Sequence, residues 1–121
     1  MSHFDHWDEI VPLQIWDGVV GRAVAGAEAT LAAIGLEPGT EVPEHQHVNE
    51  QTGMLLHGTL SFRIGAETQE LRRGSTWVIP ANVPHQVTAG PDGAFLVELF
   101  APPRADWAGL ERLAPAPPPG S

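Results

Sequence analysis

The chain has 121 residues, 13 of them glycine and 12 proline, with 15 acidic against six basic side chains, six histidines and a formal charge of −9. That length suits one buried core and one domain, and so acidic a chain, its few basic residues scattered, repels phosphate backbones and is no nucleic-acid binder. With no cysteine there are neither disulfides nor thiolate ligands, so any metal must be held by histidine, carboxylate or amide groups.

Residues 1–8 lack the basic and apolar regions of a secretory signal, and no apolar run approaches the roughly 20 residues of a membrane span. A cytoplasmic protein with no membrane partner is expected. His3 and His6 fall in this N-terminal stretch and are expected to be solvated. From Trp16 to Phe100 short β-branched or aliphatic runs alternate with Gly, Pro and Asn, the punctuation of strands and turns. The expected strands are 18–24, 29–36, 51–57, 60–64, 76–79, 85–89 and 94–100. Leu60, Phe62 and Ile64 alternate with Ser61 and Arg63 as a half-buried strand requires. Turns fall at Glu37-Pro38-Gly39-Thr40, His57-Gly58, Arg73-Gly74, Pro80-Ala81-Asn82 and Gly90-Pro91-Asp92-Gly93. This spacing fits an antiparallel sandwich or barrel.

Beyond Pro103, Trp107, Leu110 and Leu113 stand three apart, which predicts a short helix over 105–113 covering a barrel edge. Residues 114–121 hold four prolines and read as a disordered tail. The organisation expected is one domain over 1–113 with its barrel core at about 18–101, and no internal repeat.

His45 and His47 occupy alternate positions, so on a strand both imidazoles face one side and reach a common ion. A solvated strand face carrying two histidines has the same pattern. Gln51 on the next strand and His85 beside a later turn offer to complete a compact site. The run Gly39, five residues, His45-Gln46-His47, three residues, Gln51, six residues, Gly58 resembles the first cupin motif, with Gln where Glu is usual. The run Gly74, five residues, Pro80, Ala81-Asn82, two residues, His85 resembles the second. There Asn82 replaces the usual Gly, a mild departure because Asn tolerates the left-handed backbone conformation; Ala89 stands where the motif ends in Asn.

The resemblance implies an all-β fold, the cupin double-stranded β-helix or jelly-roll barrel. It also implies one divalent transition metal, Ni, Zn, Mn, Fe, Co or Cu, on His45, His47, Gln51 and His85. A neutral amide in place of the carboxylate leaves the ion its full charge, which favours Lewis-acid chemistry over oxygen activation. Glu50, adjacent to Gln51, would face the other way, either outward or toward an imidazole it orients. For His57, strict alternation from Gln51 points inward, whereas a break at Gly58 would point it elsewhere.

The wording also looks like that of the pectin-degradation cupins that act on unsaturated uronates, whose final strand carries Asp, Phe two residues on and Arg four further. Glu98, Phe100 and Arg104 match that run, with Glu for Asp. The likeness implies a metal-dependent isomerase opening a 4,5-unsaturated hexuronate, with Glu98 moving a proton, Arg104 pairing with the substrate carboxylate, and Phe100 and Trp77 against the substrate. Glu98 and Arg104 also read as an ordinary surface ion pair, and Phe100 and Trp77 as core. Trp7 and Trp16 suggest an N-terminal arm lying on a second subunit of a homodimer or folding back on its own chain. Cupins with this ligand set also resemble isomerase-decarboxylases, cyclases, lyases and dioxygenases, and a non-catalytic metal-dependent binding barrel for a small molecule is the remaining alternative.

Overall fold

The computed structural model describes residues 2–118. Among these residues nine strands form the fold: β1 Leu13–Trp16, β2 Val19–Ala25, β3 Thr30–Leu36, β4 Glu41–His45, β5 Glu50–Ile64, β6 Glu67–Leu71, β7 Thr76–Ile79, β8 His85–Ala101 and β9 Glu111–Arg112. All pair antiparallel, in the order β6-β5-β8-β3-β2-β1-β9, with β4 added on β8 and β7 on β5. The two long strands build the barrel. β5 pairs with β7 through its first half and β6 through its second, while β8 pairs with β4 and then β3. The structure is the expected all-β barrel.

Where strand pairs 51–57/60–64 and 85–89/94–100 were expected to be separated by turns, the chain instead bends within continuous strands. Register shifts lie between Leu55 and His57 and between Gly58 and Leu60. Gly58 has φ of 80° and a Cβ there would meet the Gly93 carbonyl oxygen at 2.0 Å, so only glycine permits the bulge. β1, β6 and β9 were not expected as strands, and β4 was expected only as a strand carrying His45 and His47. β6 is mostly exposed and polar, and β4 contains Pro43 and is interrupted between Val42 and His45; both edges hide their pairing from a hydrophobic pattern. β1 is half-buried throughout.

The expected C-terminal helix is a single 3-10 turn, Ala105–Gly109, which buries Trp107. Beyond it the backbone extends as β9 against β1, and the Leu113 N–H donates to the Pro12 carbonyl at 2.9 Å. A spacing of three is the period of a 3-10 turn, not of a longer α-helix. Residues 114–118 have no regular structure, yet the Arg22 Nη2 donates to the Ala116 carbonyl at 2.8 Å and Pro118 is buried; the rest of the expected tail lies outside the described residues. No helix among the described residues is long and apolar enough to cross a membrane.

β3 shows how the sequence selects its face: Thr30, Ala32, Ile34 and Leu36 are buried, and Leu31 is exposed. The core gathers Leu55, Leu60, Phe62, Ile79, Leu96 and Phe100 with their neighbours, each full burial contributing about 1.5–3 kcal/mol before entropy. On the outside of the barrel, Val24, Leu31, Leu99, Met54 and Val78 are all exposed and stand on the adjoining strands β2, β3, β8, β5 and β7.

Candidate metal centre

His45 ends β4 directly opposite His85, the first residue of β8. His47 lies past the end of β4, in the loop before β5, and not on the strand expected for it. The loop is held by Asn49, whose Nδ2 donates to the Pro102 carbonyl at 2.5 Å. The three imidazoles nevertheless converge, with one ring nitrogen of each lying within 4.8 Å of the others.

Each Nδ1 meets a main-chain carbonyl: His45 that of Pro43 at 2.8 Å, His47 that of Asn49 at 2.9 Å, and His85 that of Val83 at 2.9 Å. A carbonyl only accepts, so each Nδ1 carries the proton and each Nε2 presents a lone pair. The His47 Nε2 then faces the Gln51 Oε1 at 2.9 Å, acceptor against acceptor, and the His85 Nε2 is buried with no partner among the described residues. A cation between them satisfies these lone pairs. Burial pushes the His85 imidazole down to about 4 and lowers that of His47, which the Arg104 charge depresses further. Neutral imidazoles are what a metal requires.

Gln51 is buried on β5 and its Nε2 donates to the Glu98 Oε2, which also accepts from the Trp77 Nε1 at 3.0 Å. Glu98 is buried on β8, and burial raises its carboxyl to about 6 despite those two donors. Its Oε1 makes no hydrogen bond among the described residues.

Gln51, Glu98, His45, His85 and Arg104 form the polar part of a cavity of about 60 Å³, whose other walls include Ile15, Trp16, Ile34, Val42, Leu96 and Phe100. Arg104 lies 4.9 Å over the Phe100 ring and 4.7 Å over that of Trp107, and pairs two-pronged with Asp106 at 3.1 and 2.9 Å. That pairing holds the Asp106 carboxyl below its ordinary range.

Thus His45, His47, Gln51, His85, Glu98, Phe100 and Arg104 come together. Trp77 does not join the cavity wall: it is buried against Phe62 and serves Glu98. His57 is exposed at the bulge, which breaks the inward phase, and Glu50 is exposed. Trp7 packs edge-on against Phe95 of its own chain at 6.1 Å. His6 stands with Asp8 at 3.5 Å on the surface, and His3 is exposed. Sequence reasoning missed Trp16 as a cavity residue beside His45, at 5.1 Å between rings, and missed Asp106 and Trp107 as the cradle of Arg104. Only the proximity of Asp106 and Trp107 to Arg104 in the chain could have indicated them.

Residues 33–99 match the cupin domain family, and the chain belongs to it. Among curated proteins it is 34% identical over 73 residues to the H2HPP isomerase of Bacillus subtilis, a match covering 58% of this chain but 30% of that protein. An uncharacterized Streptomyces coelicolor protein is 22% identical over 89 residues, covering 74% of this chain and 85% of that one. The chain thus spans less than a third of that isomerase. Among solved structures, an RmlC-like cupin from Shewanella frigidimarina matches with a TM-score of 0.80 at 22% identity, over 88% of this chain and 96% of that one. KdgF from Halomonas sp. matches at 0.79 and 20%, over 88% and 98%. At these identities the structural matches establish the fold.

Proposed function

We propose that this chain is a metal-dependent isomerase of a small carboxylic acid, with His45, His47, Gln51 and His85 as ligands and a 4,5-unsaturated uronate as substrate. The observation that carries the reading is Glu98: a buried carboxylate with one oxygen anchored and the other unbonded among the described residues, in the same cavity as the His45 and His85 imidazoles, Gln51 and Arg104. A bound divalent ion supplies Lewis acidity toward a substrate oxygen. With its carboxyl raised to about 6, Glu98 exchanges a proton near neutral pH. It takes the proton of the ring hydroxyl as the ring bond breaks and returns one to the alkene carbon, so no atom is gained or lost. Arg104, stacked and braced by Asp106, receives the substrate carboxylate. The local positive field this provides offsets the chain's overall negative charge. The expected result is loss of the ultraviolet absorbance of unsaturated galacturonate with metal-loaded protein. A rate equal to buffer refutes the uronate.

The mostly apolar walls favour a second substrate, an oxo acid with a hydrocarbon body, and the isomerase among its relatives agrees with the reaction class. At about 60 Å³ the cavity is smaller than the roughly 150 Å³ that encloses benzene, so either substrate inserts only its reacting edge unless the walls move. Thermal shifts of metal-loaded protein with galacturonate and with phenylpyruvate separate the two.

The same reading includes a homodimer, supported by the exposed apolar residues Val24, Leu31, Met54, Val78 and Leu99 on the outside of the barrel, which a second copy would cover. Light scattering should give twice the monomer mass, and Leu31→Glu the monomer. A wild-type monomer at micromolar concentration refutes it.

A further inference from the structure

Three strands place Trp77, Gly53 and Glu98 in one row: Gly53 on β5 is the cross-strand partner of Trp77 on β7 and of Glu98 on β8. A Cβ on Gly53 would lie 2.4 Å from the indole Cε2 and 2.5 Å from its Nε1. The indole therefore crosses the strand through the space glycine leaves, and its N–H reaches the Glu98 Oε2. Gln51, two residues from Gly53 along the same face, donates its Nε2–H to that oxygen. With its NH2 so held, the amide must turn Oε1 toward the His47 Nε2.

The alternative is a half-turn of the amide, a torsion with two broad and nearly equivalent wells. Turned over, Gln51 would donate its NH2 to the bare His47 Nε2, a favourable hydrogen bond that fills the ion's place. Only the carboxylate opposes it, because a turned amide sets oxygen against oxygen at Glu98. We infer that Trp77 and Glu98 are positioning residues of the metal site, fixing Gln51 with its oxygen toward the ion and excluding the turned amide that would block binding. Gly53 makes the chain possible. The inference rests on reading the three imidazoles and Gln51 as ligands.

The test is titration of metal-free protein with Co²⁺, read by its visible absorption and by competition with a chelator. Trp77→Phe keeps a ring over Gly53 and removes the donor; Glu98→Leu removes the acceptor and leaves Gln51 free to turn. Each should weaken binding by about 10- to 100-fold, the usual effect of losing a ligand's hydrogen-bond partner. Glu98→Gln is the conservative control, because its amide oxygen can take the Oε2 position and accept from both the Trp77 and the Gln51 N–H groups. Its affinity should stay close to that of wild type, and all variants should melt cooperatively in chelator. Trp77→Phe and Glu98→Leu variants that bind as tightly as wild type, or a folded Glu98→Gln variant that binds as weakly as Glu98→Leu, overturn the positioning role. A wild-type protein that binds no divalent transition metal overturns the ligand reading itself.

Discussion

Stripped of metal by a chelator, the barrel keeps an acid and an imidazole whose proton affinities burial has moved in opposite senses. His85 lies at about 4 against an ordinary 6.5, and Glu98 at about 6 against 4.5. For His85 the unfolded chain takes up the proton first as pH falls. Its contribution is therefore fully present above pH 6.5 and is lost on the way down to 4, about 3 kcal/mol at 1.36 kcal/mol per unit. Glu98 runs the other way: the folded chain binds its proton first, so its contribution is complete below pH 4.5 and is lost by pH 6, about 2 kcal/mol. Between pH 4.5 and 6 the two slopes oppose and this pair leaves stability nearly level. Glu98→Gln removes one of them, and stability should then climb with pH across the whole interval. Urea unfolding in chelator from pH 4 to 7.5 measures this, with wild type minus variant at each pH cancelling the remaining groups. A difference that does not change by more than about 0.5 kcal/mol between pH 4.5 and 6 would refute the reasoning, since a buried carboxyl raised that far must register.

Saturating metal at about 100 times its Kd should stabilise the fold by about 2.7 kcal/mol, and His85→Ala should abolish the rise in Tm. Leu55 is fully buried, and Leu55→Ala should cost about 2–5 kcal/mol by urea midpoint. Asp106 is an exposed partner of Arg104, so Asp106→Asn should change stability by less than about 1 kcal/mol. It should instead raise KM for the acid substrate several-fold with kcat nearly constant, because Arg104 loses its brace. Gly53→Ala should displace the indole and weaken metal binding as Trp77→Phe does, read by the same cobalt titration.

Much of the site was legible because its spacing survives folding. His45 and Gln51 sit where alternation and the motif place them, and Asn82, expected in the left-handed region, has φ of 63°. His47 faces the site although its strand ends at His45, because Asn49 and not strand pairing fixes the loop. The hydrogen bond from Trp77 to Glu98 escaped the reading, since a tryptophan in an alternating strand gives no sign that its neighbour across the sheet is a glycine it can cross. Polar edge strands β4 and β6 carry no alternation of burial for a pattern to detect, and bulges at Gly58 joined segments that turn signals divide.

Gln51 and Glu98 make sense only together. Two carboxylates at these positions would share the contact that the amide now makes, and like charges so close force one to keep its proton. Placing the amide on the ion and the carboxylate behind it avoids that conflict. In the proposed reaction the ion would retain its charge toward a substrate oxygen, while Glu98 would compensate from one layer out and keep Oε1 free for proton transfer. A Gln51→Glu variant alone should therefore bind metal with release of a proton from the pair, and its activity should fall because the ion is partly neutralised and the base is occupied. Calorimetry in two buffers of different ionisation enthalpy counts that proton; a variant that binds metal with no more proton release than wild type would show that the two carboxyls do not compete.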